Sequence, residues 1–212
     1  MDAATIFKDE FALITDLAIQ KFVSQVFDFF TPNYFESAPA SITGKHHPQI
    51  SLGQGGLVRH TKLAVWWGVK LSKVWGLSQN DLEVIVAALL LHDLQKFGPT
   101  LSSDGTKSID NPNATHGLIF SKKLFEYVIG HMSLNEWKIV DAIRYHMGRW
   151  TAPESKDTPE QFLHSPTRLI VHLADYVAAQ KIDEALLTIA TSSPSSKAGE
   201  AGAGSPPPSL YS

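Results

Sequence analysis

Six residues of this chain stand out as candidate metal ligands: His60, His92, Asp93, His116, His146 and Asp175. Imidazole nitrogens and carboxylate oxygens suit divalent transition metals, and the chain has no cysteine to offer a thiolate. The dipeptide His92-Asp93 stands out because it closes the apolar run Val84-Ile85-Val86-Ala87-Ala88-Leu89-Leu90-Leu91. Packing explains an imidazole beside a carboxylate poorly at such a place, whereas pairing or metal binding explains it well. If the six converge, they describe a metal-dependent hydrolase. Two divalent cations held by only two carboxylates would leave a net positive site, which attracts phosphate oxygens. A water between them would ionise near neutral pH. Asp93 is the natural shared carboxylate, since its neighbour His92 already points at the site.

The elements that must position these residues read as helices. Apolar residues recur at helical spacing from about 5 to 30, up to the stop Thr31-Pro32-Asn33. A Pro-, Gly- and Ser-rich stretch follows from Tyr34 to Gly56. A helix is expected from Leu57 to Trp75, with Gly76 as its stop. Ser78 reads as an N-cap with Asp81 at the capping-box position, opening a helix to about Leu94. After a polar loop over 98–113, a helix is expected over 114–129. Another should follow Ser133, with Glu136 at the box position, and run to about Met147. Pro166 should open the last, to about Ala190. No alternating strand pattern is present, so the expected fold is all-α. On this reading His60 and His116 open helices, His92-Asp93 and His146 close them, and Asp175 lies mid-helix. Facing helices of a bundle commonly project ligands inward to one site.

The chain's 212 residues suffice for one domain with an appendage. The expected organisation is an N-terminal helix over 1–33, a catalytic domain over 34–190 and a disordered Ser/Gly/Pro tail over 191–212. A net charge of −3 excludes a global basic field for a long nucleic acid. No signal segment or membrane-spanning run is evident, so a cytoplasmic protein is expected.

The order His60, His92-Asp93, His116, His146, Asp175 resembles the HD-domain superfamily of metal-dependent phosphohydrolases, over roughly residues 35–185. Within it, Ser37-Ala38-Pro39-Ala40, His46-His47, Gly55-Gly56-Leu57-Val58-Arg59-His60-Thr61 and His172-Leu173-Ala174-Asp175 are similar to the HD domain of YhaM-type bacterial 3′-5′ exoribonucleases. The expected single helix before the HD segment does not resemble the nucleic-acid-binding N-terminal domain of those enzymes. The resemblance implies an HD-type helical bundle with one or two metals (manganese, iron, cobalt, nickel or zinc) in its core. It implies that His60, His92, Asp93 and Asp175 hold one metal, and that Asp93, His116 and His146 hold a second. It also implies that Lys96 contacts substrate phosphate, making Asp93 and Lys96 the catalytic pair. Two positions depart from the family pattern: Gln95 stands where Gly is frequent, and Met147 follows His146 where a second His is frequent.

On the substrate side, Lys45, His46 and His47 read either as a phosphate-binding rim or as a solvated loop. Arg149 is placed to fork onto a phosphate, and Trp150 either stacks on a base or anchors the helix end. His172 shares a helix face with Asp175 and either orients that carboxylate or packs. The expected substrate is a nucleotide or a short nucleic acid, hydrolysed at a phosphoester or phosphoanhydride. The alternatives are a 3′-5′ exonuclease on single strands, a non-catalytic nucleotide-binding module and a di-iron oxygenase.

Overall fold

The computed structural model describes residues 3–41, 44, 47–98, 116–128, 132–148, 151 and 165–180. Every regular element among them is helical: α1 (Ala3–Ile6), α2 (Lys8–Phe11), α3 (Leu17–Phe30), α4 (Gly56–Val74), α5 (Gln79–Leu91), α6 (His116–Tyr127), α7 (Leu134–Tyr145) and α8 (Pro166–Ala179). A short 3-10 turn covers Gln49–Ser51.

Helix α5 is the axis of the bundle. Every residue from Val84 to Leu91 is fully buried, because α5 packs against α2, α3, α4, α7 and α8. Burying each Val, Leu or Ile there contributes about 1.5–3 kcal/mol. Helix α4 crosses α5 closely at Gly68, where a Cβ would stand 2.3 Å from a methyl of Leu89. Charged pins tie the helices around this centre to one another. Buried Glu10 of α2 accepts from Lys62 of α4 at 3.0 Å. Arg168 of α8 forks onto Asp141 of α7, at 2.6 and 2.8 Å.

The helix starts follow local chemistry. Ser133 accepts from the backbone N–H of Glu136, and the Glu136 carboxylate accepts from that of Ser133, completing a capping box. Ser78 also caps α5, but the Asp81 carboxylate accepts from the Ser78 hydroxyl rather than from the backbone, so only half a box forms. Gly76 takes φ +64 after α4, as its place at a helix end predicts.

Three boundaries differ from expectation. The single N-terminal helix over 5–30 is broken into α1, α2 and α3. Glu83 of α5 takes the Thr15 hydroxyl at 2.6 Å and the Asp16 N–H at 2.8 Å, and Asp16 then caps α3 through the N–H groups of Ala18 and Ile19. Helix α5 ends at Leu91, and 92–97 form a turn, since His92 and the residues after it must face the site. Helix α8 ends at Ala179 rather than near Ala190, where Gln180 turns extended with ψ 144°. The tail over 191–212 lies outside the described residues.

Candidate metal centre

The six proposed ligands meet at one end of the bundle. His60 lies in the second turn of α4, His92 caps the C-terminus of α5, His116 opens α6, His146 caps α7 and Asp175 stands in α8. His60, His92 and His146 are wholly buried, and Asp93 and His116 nearly so. Their donor atoms fall into two groups that share one residue: His60, His92, Asp93 and Asp175, and then Asp93, His116 and His146.

Asp93 divides its two oxygens between the groups. Its Oδ2 is 3.6 Å from Nε2 of His60 and 3.6 Å from Nε2 of His92. Its Oδ1 is 2.9 Å from Nε2 of His116 and 3.7 Å from Nε2 of His146. Asp175 closes the first group, with Oδ1 3.0 Å from His60 and 3.5 Å from His92. In the second, Nε2 of His116 and Nε2 of His146 face each other at 3.0 Å.

Backbone carbonyls orient two of the rings. The Nδ1–H of His92 donates to Leu89 at 2.6 Å, and that of His146 donates to Ile143 at 2.6 Å. Each therefore turns its Nε2 inward, the arrangement that aims a metal-ligating imidazole. A small residue is required beside them. A Cβ on Gly117 would lie 2.6 Å from the Ile143 carbonyl and 2.7 Å from the His146 ring.

The electrostatics demand positive charge. Burial pushes the Asp93 carboxyl up, but Lys96, His92 and His116 together hold it well below its usual range. Asp175 is likewise held low against burial by the neighbouring imidazoles of His60 and His92, whose Nε2 atoms stand 3.0 and 3.5 Å from its Oδ1. Burial pushes His92 down, yet Asp93 and Asp175 raise it overall. His146 is lowered to about 3, chiefly by burial and then by the neighbouring imidazoles. Its inward Nε2 therefore carries a lone pair.

This donor set fits divalent transition metals. Nε2 of His92 is fully buried with no hydrogen-bond partner, and the lone pair of His146 points at another imidazole nitrogen. Such orphaned groups are costly unless something else completes them. His60, His92, Asp93 and Asp175 could hold one cation, and Asp93, His116 and His146 a second.

The substrate-side candidates are partly placed. Lys96 is 18% exposed and its ammonium sits 2.6 Å from Asp93 Oδ2. His47 reaches the rim, its ring centroid 5.3 Å from that of His60, and burial, more than Lys96 and His60, lowers it to about 4. Arg59 holds the same segment by donating to the carbonyls of Ile50, Leu52 and Gln54. Lys45, His46, Arg149, Trp150 and the loop over 99–113 lie outside the described residues. His172 does not orient Asp175; its Nδ1–H donates to the His146 carbonyl at 2.8 Å.

Sequence reasoning missed the fastening of the turn after His92-Asp93. The Gln95 amide donates to the Phe30 carbonyl at 2.6 Å, and the Tyr34 hydroxyl donates to the Gly98 carbonyl. Gln95 thus ties this turn to α3, a use that a Gly at that position lacks. Its amide, next to two candidate site residues, was the available signal. Gly117 was legible only as the neighbour of His116.

No curated protein and no solved structure gave a match to the chain. Among the described residues no helix is long and apolar enough to cross a membrane. The model of one protein family, described as the HD domain, matches residues 57–180, a span that begins three residues before His60 and ends five after Asp175. With more than half of its length in that match, the chain belongs to the HD-domain family, part of a superfamily of metal-dependent phosphohydrolases.

Proposed function

We propose that this protein hydrolyses a phosphoester or phosphoanhydride bond of a nucleotide, with divalent transition metals held by His60, His92, Asp93, His116, His146 and Asp175. The observation that carries this reading is the division of Asp93, whose two oxygens face two separate nitrogen clusters. One carboxylate spanning two donor groups suits a two-cation phosphate site. When bound, the cations would make hydroxide available near neutral pH and neutralise phosphate charge.

The chain's own residues do the rest. Asp93 and Asp175, both ionised, supply the negative charge that retains the cations. The carbonyls of Leu89 and Ile143 keep His92 and His146 in the tautomer that presents Nε2. Lys96, partly exposed and resting on Asp93, binds a phosphate oxygen of the substrate. His47, neutral at physiological pH, donates a hydrogen bond at the rim without adding charge. Lys45, His46 and Arg149 belong to the same proposed rim. The overall charge of −3 favours a small nucleotide over a long polymer.

The test is metal analysis of the purified protein together with a hydrolysis panel of nucleotides and oligonucleotides in manganese. Release of phosphate or nucleoside from nucleotides is expected, and Asp93→Ala should lose metal and hydrolysis together. Stepwise shortening of oligonucleotides alone would favour the exonuclease instead. Wild-type hydrolysis by Asp93→Ala would overturn the site. A metal-free protein inert toward every substrate would point to a binding module.

A further inference from the structure

The two groups of donors depend on different parts of the chain, and besides the shared Asp93 a part-buried hydrogen bond runs between the elements that carry them. Helix α8 carries Asp175, a donor of the first group. One turn earlier it carries His172, which is in neither group. The Nδ1–H of His172 donates to the backbone carbonyl of His146 at 2.8 Å. His146 is the C-cap of α7, so its carbonyl lies beyond the helix's own hydrogen-bond ladder and needs an outside donor. Two residues on, Gly148 turns with φ +56, and a Cβ there would lie 2.4 Å from the His172 ring. The turn that leaves α7 is therefore shaped around the imidazole of His172. On the other face of His146, its own Nδ1–H is fixed to Ile143, and its Nε2 faces His116 and Asp93.

We propose that His172 is a positioning residue for the second cation, acting by holding the backbone of His146 so that Nε2 points at Asp93 and His116. This deepens the two-cation reading and rests on it. Partners one layer behind the ligands typically change metal affinity by about 10–100-fold when removed. The contact is to a donor of the second group alone, so that loss falls on one cation and spares the other.

The experiment titrates manganese into metal-stripped protein and counts the ions bound at each affinity, with no substrate present. Wild-type protein should bind two. His172→Ala should keep the first at unchanged affinity and bind the second about 10–100-fold more weakly. His172→Asn should restore most of the second, because its amide N–H stands close to where Nδ1–H stood. That rescue separates positioning from bulk packing, since Asn fills less space than the ring. If wild type binds two and His172→Ala binds both at wild-type affinity, the proposal fails while the two-cation reading stands. Equal weakening of both cations, or no rescue by Asn, also overturns it. A wild-type protein that binds one cation removes the reading and the proposal together.

Discussion

The two donor groups share Asp93 but are built differently. The first draws His60 and Asp175 from within α4 and α8 and His92 from the C-cap of α5, three helices that pack against one another. The second draws His116 from the first residue of α6 and His146 from the last turn of α7. Its geometry depends on two glycines and on a hydrogen bond from His172. A group with two of its donors set within packed helices inherits their rigidity, whereas one drawn wholly from helix ends must be fastened residue by residue.

The variant that breaks both groups at once should have the largest effect. Asp93→Ala removes the shared carboxylate, and hydrolysis should fall about a thousandfold or more in a steady-state assay. Next, His116→Ala should separate the groups: calorimetric titration should find one manganese ion where wild type binds two, while Asp175→Ala should weaken the first ion most. Gly117→Ala sharpens the contrast, since its methyl collides with His146 and the Ile143 carbonyl. It should cost about 1–3 kcal/mol in denaturant unfolding and weaken the second ion selectively.

Acidity should also divide the groups. The carboxylates raise the pKa of His92 despite burial, so a cation at the first group competes with a proton that this imidazole holds more readily than a free one. Manganese affinity there should rise with pH through the histidine range. His146, lowered to about 3, has no proton to lose near neutrality. Titrations at a series of pH values would show a steeper dependence for the first ion; equal slopes would contradict the contrast.

The smallest effect is a control far from both groups. Burial pushes the Glu83 carboxyl up, but hydrogen bonds from Thr15, Gln79 and the Asp16 backbone lower it overall below 4.5. A depressed carboxylate stabilises the fold above its unfolded pKa, and that contribution disappears as pH falls through the folded value. Glu83→Gln should lose about 1 kcal/mol at neutral pH and flatten the acid side of the stability curve. Both manganese affinities should stay unchanged.

Much of this was legible in the sequence because helix periodicity and ligand chemistry are local signals. Ser133, Ser78 and Gly76 mark their boundaries through bonds made within a few residues. The dipeptide His92-Asp93 was conspicuous because polarity follows an apolar run. The break at Asp16 was hidden because it depends on Glu83, 67 residues away. The role of His172 was hidden for the same reason. Its spacing from Asp175 suggested a role toward that carboxylate, while its Nδ1–H donates to a carbonyl 26 residues earlier. Long-range hydrogen bonds leave no periodic trace.

Helices α5 and α7 are braced at their starts, where Asn80 and Asn135 exchange hydrogen bonds at 3.2 and 2.8 Å and Lys138 meets Asp81 at 3.1 Å. Both finish at the ligands, after 13 and 12 residues. With one end locked, the angle at which each imidazole emerges is a matter of counting residues. One inserted residue in either helix would swing His92 or His146 by about 100° and shift it by about 1.5 Å. An insertion between the brace and the ligands would therefore redirect an imidazole, whereas a substitution there leaves its direction intact.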